Sequence, residues 1–182
     1  ELEKSETSYK LAIKYNPSYA EAYNNLGVTL RELCKLDDSE KAYKKAIELK
    51  NNYPDPYNNL SFTLLLKNQF EEAYKFSEWR WQTKYNIGKK FITNKPLWNG
   101  ENNKTILVWK EQGIGDEIMY NSILPELNAI SKKLIVHCDK RLIPLFRRSF
   151  SNDIIFESNK ENISNNDFDY HIPIGSCLLY TS

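Results

Sequence analysis

In the stretch Glu111-Gln112-Gly113-Ile114-Gly115-Asp116-Glu117, two glycines and three carboxylates stand just behind a short apolar run, Thr105-Ile106-Leu107-Val108-Trp109. A glycine turn after a strand sets backbone N–H groups and side chains at the strand's carboxyl end, where parallel α/β sheets hold their ligands. The residue types narrow the chemistry. No Gly-Lys-Ser/Thr follows, so the turn is not a phosphate-gripping P-loop. The dinucleotide fingerprint also fails, because Ile118 occupies the place of its third glycine. Three carboxylates would repel a pyrophosphate despite the favourable helix N-terminus. They suit a neutral polyol, whose hydroxyls donate to carboxylate oxygens, and one of them is a candidate base for an attacking hydroxyl. The alternative for Asp116 is a helix N-cap, with Glu117 favoured by the helix dipole. Glu111, at the strand end, is open to a site role or a structural one.

Other reactive side chains carry less. His137 and Cys138 are adjacent at a strand end, but no further ligands accompany them, so no metal site is expected. His171 precedes Ile172-Pro173-Ile174-Gly175-Ser176 and either lines a cleft or serves the core. Arg147 and Arg148 read as a solvated helix face.

The elements that position the turn follow from periodicity. The run at 105–109 is apolar and rich in β-formers, as a buried parallel strand requires. Ile118, Met119, Ile123, Leu127 and Ile130 have helical spacing over 116–130. Leu134-Ile135-Val136 predicts a second strand, and 139–150 a second helix with Asp139 as N-cap and a kink at Pro144. Strands are also predicted at 154–156 and 168–174. This alternation is the order of a doubly wound parallel sheet.

Ahead of it lies a repeat with a period of 34 residues. Tyr9 recurs as Tyr43 and Ala12 as Ala46, while Tyr23-Asn24-Asn25-Leu26 recurs as Tyr57-Asn58-Asn59-Leu60. Ala22, Tyr23, Leu26, Leu30 and Leu33 share one helical face, which each unit buries by stacking on the next. Small Gly27 and Ala46 allow close helix approach. Asn16-Pro17 and Tyr53-Pro54 mark turns between units. The third unit departs after Ala73, where Arg80 flanked by Trp79 and Trp81 replaces the expected small residue. These aromatics either cap the solenoid and pack it onto the next domain or stack on a ligand.

Residues 86–104 form a linker, with Leu97-Trp98 as its apolar anchor, which predicts two docked domains. The whole chain of 182 residues carries 25 basic and 24 acidic side chains, so no charge excess draws it to nucleic acid or anionic lipid. Its apolar runs are too short for a membrane span. Three scattered cysteines without a CxxC pair fit a reducing cytoplasm.

The repeat positions, with Tyr23, Leu26-Gly27 and Ala46 in register, resemble the tetratricopeptide family. Glu78-Trp79-Arg80-Trp81, Pro96-Leu97-Trp98-Asn99-Gly100, Lys104-Thr105-Ile106-Leu107, Glu111-Gln112-Gly113-Ile114-Gly115-Asp116 and Leu124-Pro125 add a second likeness. Together they resemble bacterial tetratricopeptide proteins with a C-terminal heptosyltransferase-like glycosyltransferase domain (family 9, GT-B). The resemblance implies an α plus α/β architecture: repeats at 1–85, a docked linker at 86–104, and the N-terminal Rossmann-like half of a GT-B domain at 105–182. It implies transfer of a sugar from a nucleotide-sugar co-substrate to an acceptor hydroxyl, with no bound cofactor or metal. Asp116 falls on the family's proposed base. Gly113 and Gly115 shape the turn, and Glu111, Gln112 and Glu117 are weaker candidates for acceptor contacts. The repeat groove would take a protein or a glycan carrier. The register places Glu1 within a unit, and no donor half follows, so truncation at both ends is expected. Cys177-Leu178-Leu179-Tyr180-Thr181-Ser182 resembles translated adapter sequence, so Cys177 carries no argument. The competing expectation is a non-catalytic interaction module with an α/β capping domain.

Overall fold

A computed structural model describes residues 1–86, 90–111 and 113–180. The chain divides into two compact units, Glu1–Gly88 and Lys89–Ser182. The first is helical: α1 (Leu2–Tyr15), α2 (Ala20–Glu32), α3 (Leu36–Leu49), α4 (Pro54–Leu66) and α5 (Phe70–Ser77), closed by a 3₁₀ turn at Glu78–Gln82. Pro54 sits in the first turn of α4, where its missing N–H has no intrahelical acceptor to lose. Tyr43, Leu60, Leu64 and Ala73 form one buried cluster, and Leu26, Leu30 and Ala42 another.

Gly27 is required by contact. A Cβ there would come within 2.6 Å of the Tyr43 ring, itself wholly buried. Ala46 is equally buried, as its place in the period requires. Arg80, the next residue in that series, is tolerated because α5 ends at Ser77 and the 3₁₀ turn re-aims it. Its guanidinium lies over the Trp81 ring and donates to the Ser77 carbonyl and the Glu78 carboxylate. Trp79 stacks on Tyr57 of α4 with centroids 3.9 Å apart, so it caps the solenoid from within.

The repeat recurs in the backbone as well. Cys34 and Asn68, one period apart, both adopt φ 58°, and each lets the following N–H reach back to a helix carbonyl (Lys35 to Leu30, Gln69 to Leu64). This left-handed close of a helix favours glycine or asparagine over a residue such as cysteine. Replacing exposed Cys34 with glycine is expected to raise stability by about 1 kcal/mol. Equilibrium denaturation checks this; a loss of stability would show that the thiol makes a contact worth more than the backbone strain.

In the second unit, β1 (Thr105–Trp109), β2 (Lys133–His137), β3 (Ile155–Glu157) and β4 (Tyr170–Pro173) form a parallel sheet of order β3-β2-β1-β4. Helices α6 (Ile114–Tyr120), α7 (Leu124–Ile130) and α8 (Ile143–Ser149) connect the strands. Ile106, Leu107 and Val108 are wholly buried, as the continuous apolar run predicts. The architecture is thus a helical repeat region plus a small parallel sheet with helices. Part of the expected linker belongs to this unit: Trp98 is buried in its core, its backbone N–H donates to His171, and the His171 N–H returns to Pro96.

Two helices differ from expectation. The helix foreseen over 116–130 breaks into α6, a 3₁₀ turn at Asn121–Ile123, and α7, with Pro125 starting the last of these. Ile118 and Met119 were expected on the core face, yet both are about half exposed, while Glu117 and Asn121 point inward. Asp139 is not a helix cap and Pro144 makes no kink: α8 begins only at Ile143, and Pro144 occupies its first turn.

Candidate active site at the switch point

Strand β1 lies between β2 and β4. The chain leaves it for β2 on one side and returns as β4 on the other. In a doubly wound sheet this reversal opens a crevice at the carboxyl ends of the two central strands. The turn holding Gly113 leaves β1 here, opposite the 3₁₀ turn at Ile174–Leu179 that leaves β4.

The three carboxylates have separated fates. Glu111 is half-buried, and its Oε1 accepts a 2.7 Å hydrogen bond from the Gly175 N–H, which ties the two turns together. Glu117, proposed as an acceptor contact, is 2% exposed; its Oε2 accepts from the Asp139 N–H at 2.8 Å. Burial raises its pKa, and Lys110 lies 3.9 Å from its other oxygen. It links α6 to the residues just past the ends of β1 and β2. Asp116 remains. It is the third residue of α6, not its N-cap, which is Gly113. Its carboxylate is half-buried and, among the described residues, makes no hydrogen bond or ion pair. A carboxylate in that setting can accept from an incoming hydroxyl. The three carboxylates thus have different surroundings: Glu111 and Glu117 accept from backbone N–H groups of other turns, and Asp116 makes no hydrogen bond among the described residues.

The glycines need a similar correction. Gly113 has φ −79° and Gly115 lies within α6; a Cβ on either would meet nothing within 4 Å. Neither is forced by the turn itself, and both leave open space beside Asp116. Gln112 lies outside the described residues.

Both histidines are buried. Trp109 Nε1–H donates to His171 Nδ1 at 3.0 Å, which fixes the neutral tautomer with its proton on Nε2, and burial lowers the His171 pKa. His137 is 2% exposed, its Nδ1 has no hydrogen-bond partner among the described residues, and burial pulls its pKa down to about 4. Between that value and the ordinary 6.5, the unfolded chain binds a proton that the folded one refuses. Stability of this unit is therefore expected to fall by up to about 3 kcal/mol as the pH drops through the window. Glu117 acts in the opposite sense, since its raised pKa favours the fold in acid. Melting curves of wild type and His137→Phe across this range test the point: the variant should lose most of the acid slope, and parallel slopes would contradict it.

Sequence reasoning passed over Lys110 and Arg141 and read Asp139 only as a helix cap; the three stand one to four residues beyond the ends of β1 and β2. Arg141 grips Asp139 through two bonds of 2.9 and 3.0 Å, and Lys110 lies 3.7 Å from the same carboxylate. Their position just past parallel strands was the available signal. Arg147 and Arg148 are exposed at the end of α8, where cations suit the helix dipole. Among the described residues, no three His, Cys, Asp or Glu side chains converge as a metal site.

Tetratricopeptide-repeat profiles match residues 20–53 and 42–75. The helical unit carries tetratricopeptide repeats. Protein FlbA of Caulobacter vibrioides is 29% identical over 92 residues, 48% of this chain, and the chain covers 15% of that protein's length. Two solved structures are similar to parts of this chain. A crystal structure of MamA is 25% identical, with a TM-score of 0.41, over 47% of this chain and 50% of the other. A mutant O-GlcNAc transferase of Thermobaculum terrenum is 11% identical, with a TM-score of 0.45, over 90% of this chain and 39% of the other. Neither TM-score reaches one half. No described helix is long and apolar enough to cross a membrane.

Proposed function

We propose that the α/β unit is the acceptor-side half of an inverting, heptosyltransferase-like GT-B transferase, working with the tetratricopeptide repeats in the cytoplasm. The observation that carries this reading is Asp116, a half-buried carboxylate without a partner among the described residues, on the first helical turn behind β1 at the switch point. An acceptor hydroxyl would donate to Asp116. As its oxygen attacks the anomeric carbon of a nucleotide-sugar, the proton passes to the carboxylate and the bond to the diphosphate breaks. Developing charge on the nucleoside diphosphate is of the kind that protein groups and helix N-termini stabilise, so no bound cofactor or metal enters the scheme. The open space at Gly113 and Gly115 leaves room for the acceptor. Repeats of this kind typically bind proteins, and here they would present a partner or a glycan carrier.

A specific bond favours a second reading. Glu111 bridges to Gly175 across the crevice, as a purely structural α/β cap would also require, and the unit would then serve only a protein-binding solenoid. The two readings separate in an assay of the protein carrying this chain against a panel of nucleotide-sugars with polyol and protein acceptors. Acceptor-dependent release of nucleoside diphosphate is expected. Absence of release across the panel, with the protein folded, would leave the interaction module.

A further inference from the structure

Beside the switch-point crevice, an open groove of about 480 Å³ is lined by Lys110, Cys138, Asp139, Lys140, Arg141 and Ser158. It runs along the carboxyl ends of β1, β2 and β3, all in the α/β unit. Its hydrogen-bond inventory is lopsided. Every nearby acid is already spent on protein donors: Glu117 on the Asp139 N–H, Asp139 on Arg141, and Glu157 on the N–H groups of Ser158 and Asn159 and the amide of Asn162.

The donors are not spent. Lys110 Nζ has its nearest carboxylate oxygens at 3.7 and 3.9 Å, close enough for attraction but beyond hydrogen bonding. Lys140 is exposed and, among the described residues, has no ion-pair partner. Arg141 commits Nε and one terminal nitrogen to Asp139 and, among the described residues, keeps the other without a partner. The Ser158 hydroxyl is likewise unengaged among the described residues. Cys138 adds no negative charge, because burial pushes its thiol up to about 12. Three cations keep N–H groups without hydrogen-bond acceptors among the described residues and stand with a hydroxyl at one groove wall, while each nearby acid already accepts from the protein. A tetrahedral oxyanion supplies such acceptors.

We propose that this groove binds a phosphoryl group, with Lys110, Lys140 and Arg141 as its charged donors and Ser158 as a neutral one. Asp139 and Glu117 serve as positioning residues that hold Arg141 and Lys110 at the groove wall. This site is separate from Asp116 and does not depend on the transferase reading.

The test is a ¹⁵N NMR titration of the whole chain with inorganic phosphate, glucose 6-phosphate and glucose. Phosphate should shift the amides of Lys110, Asp139, Arg141 and Ser158. Tighter binding of glucose 6-phosphate would identify a phosphorylated sugar as the source, and equal affinities would identify free phosphate. Lys140→Glu, at an exposed position, should weaken binding at least about tenfold, the loss of one charge-assisted hydrogen bond. Lys110→Met should do the same, whereas Lys133→Glu at the opposite end of β2 should change nothing. The proposal is overturned if these amides stay still with both phosphates, if glucose binds there as well as glucose 6-phosphate, or if Lys140→Glu and Lys110→Met bind like wild type.

Discussion

Truncating Tyr43 to alanine is expected to destabilise the repeat unit by about 3–5 kcal/mol, the range for losing a buried aromatic. Tyr43 is wholly buried and centres the cluster with Leu60, Leu64 and Ala73, so it joins α3 to both helices of the next repeat. Its ring also fills the space that Gly27 leaves on α2. Removing it opens a cavity against three neighbours at once, and a solenoid has few contacts beyond its neighbours with which to compensate. A calorimetric or circular-dichroism melt should show the midpoint falling by more than about 10 °C. A shift of only a degree or two would mean that the helices collapse into the gap, and that the Gly27–Tyr43 contact does not set the helix spacing.

The repeat unit was the more legible half because its sequence states each rule twice. The 34-residue period gave the helices, the turn at Pro17, the start of α4 at Pro54, and the tight places at Gly27 and Ala46. The αL close shared by Cys34 and Asn68 was not legible, since cysteine is not a residue that announces positive φ. In the α/β unit, continuous apolar runs identified the strands, and their alternation with helices implied a parallel sheet.

What failed there was the phase of α6. Ile118 and Met119 have the spacing of core residues, but Glu117 takes the inward position because the Asp139 N–H, far off in sequence, offers it a partner. Local periodicity cannot register such a bond. The same limit applies to the site. The turn and Asp116 were visible as a motif, whereas the separation of its carboxylates depended on Gly175 and Asp139, which only the fold brings near. The groove cations were missed for a related reason: Lys110, Lys140 and Arg141 are ordinary surface residues until the strands are set side by side.

Asp116→Asn should slow sugar transfer about 10³-fold while leaving the fold intact. Among the described residues the Asp116 carboxylate has no bond to lose, and asparagine keeps its shape. The fold loses only a helix-dipole interaction worth about 0.5 kcal/mol, so the melting midpoint should move by a few degrees at most. The reaction loses its proton acceptor, a change worth about 10²–10⁴ in rate. The decisive measurement is therefore the rate of acceptor-dependent nucleoside diphosphate release by the protein carrying this chain and by its Asp116→Asn variant, at a temperature where both are folded. The account predicts a drop of about 10³-fold with little change in stability. Transfer at the wild-type rate in a folded Asp116→Asn protein would contradict it.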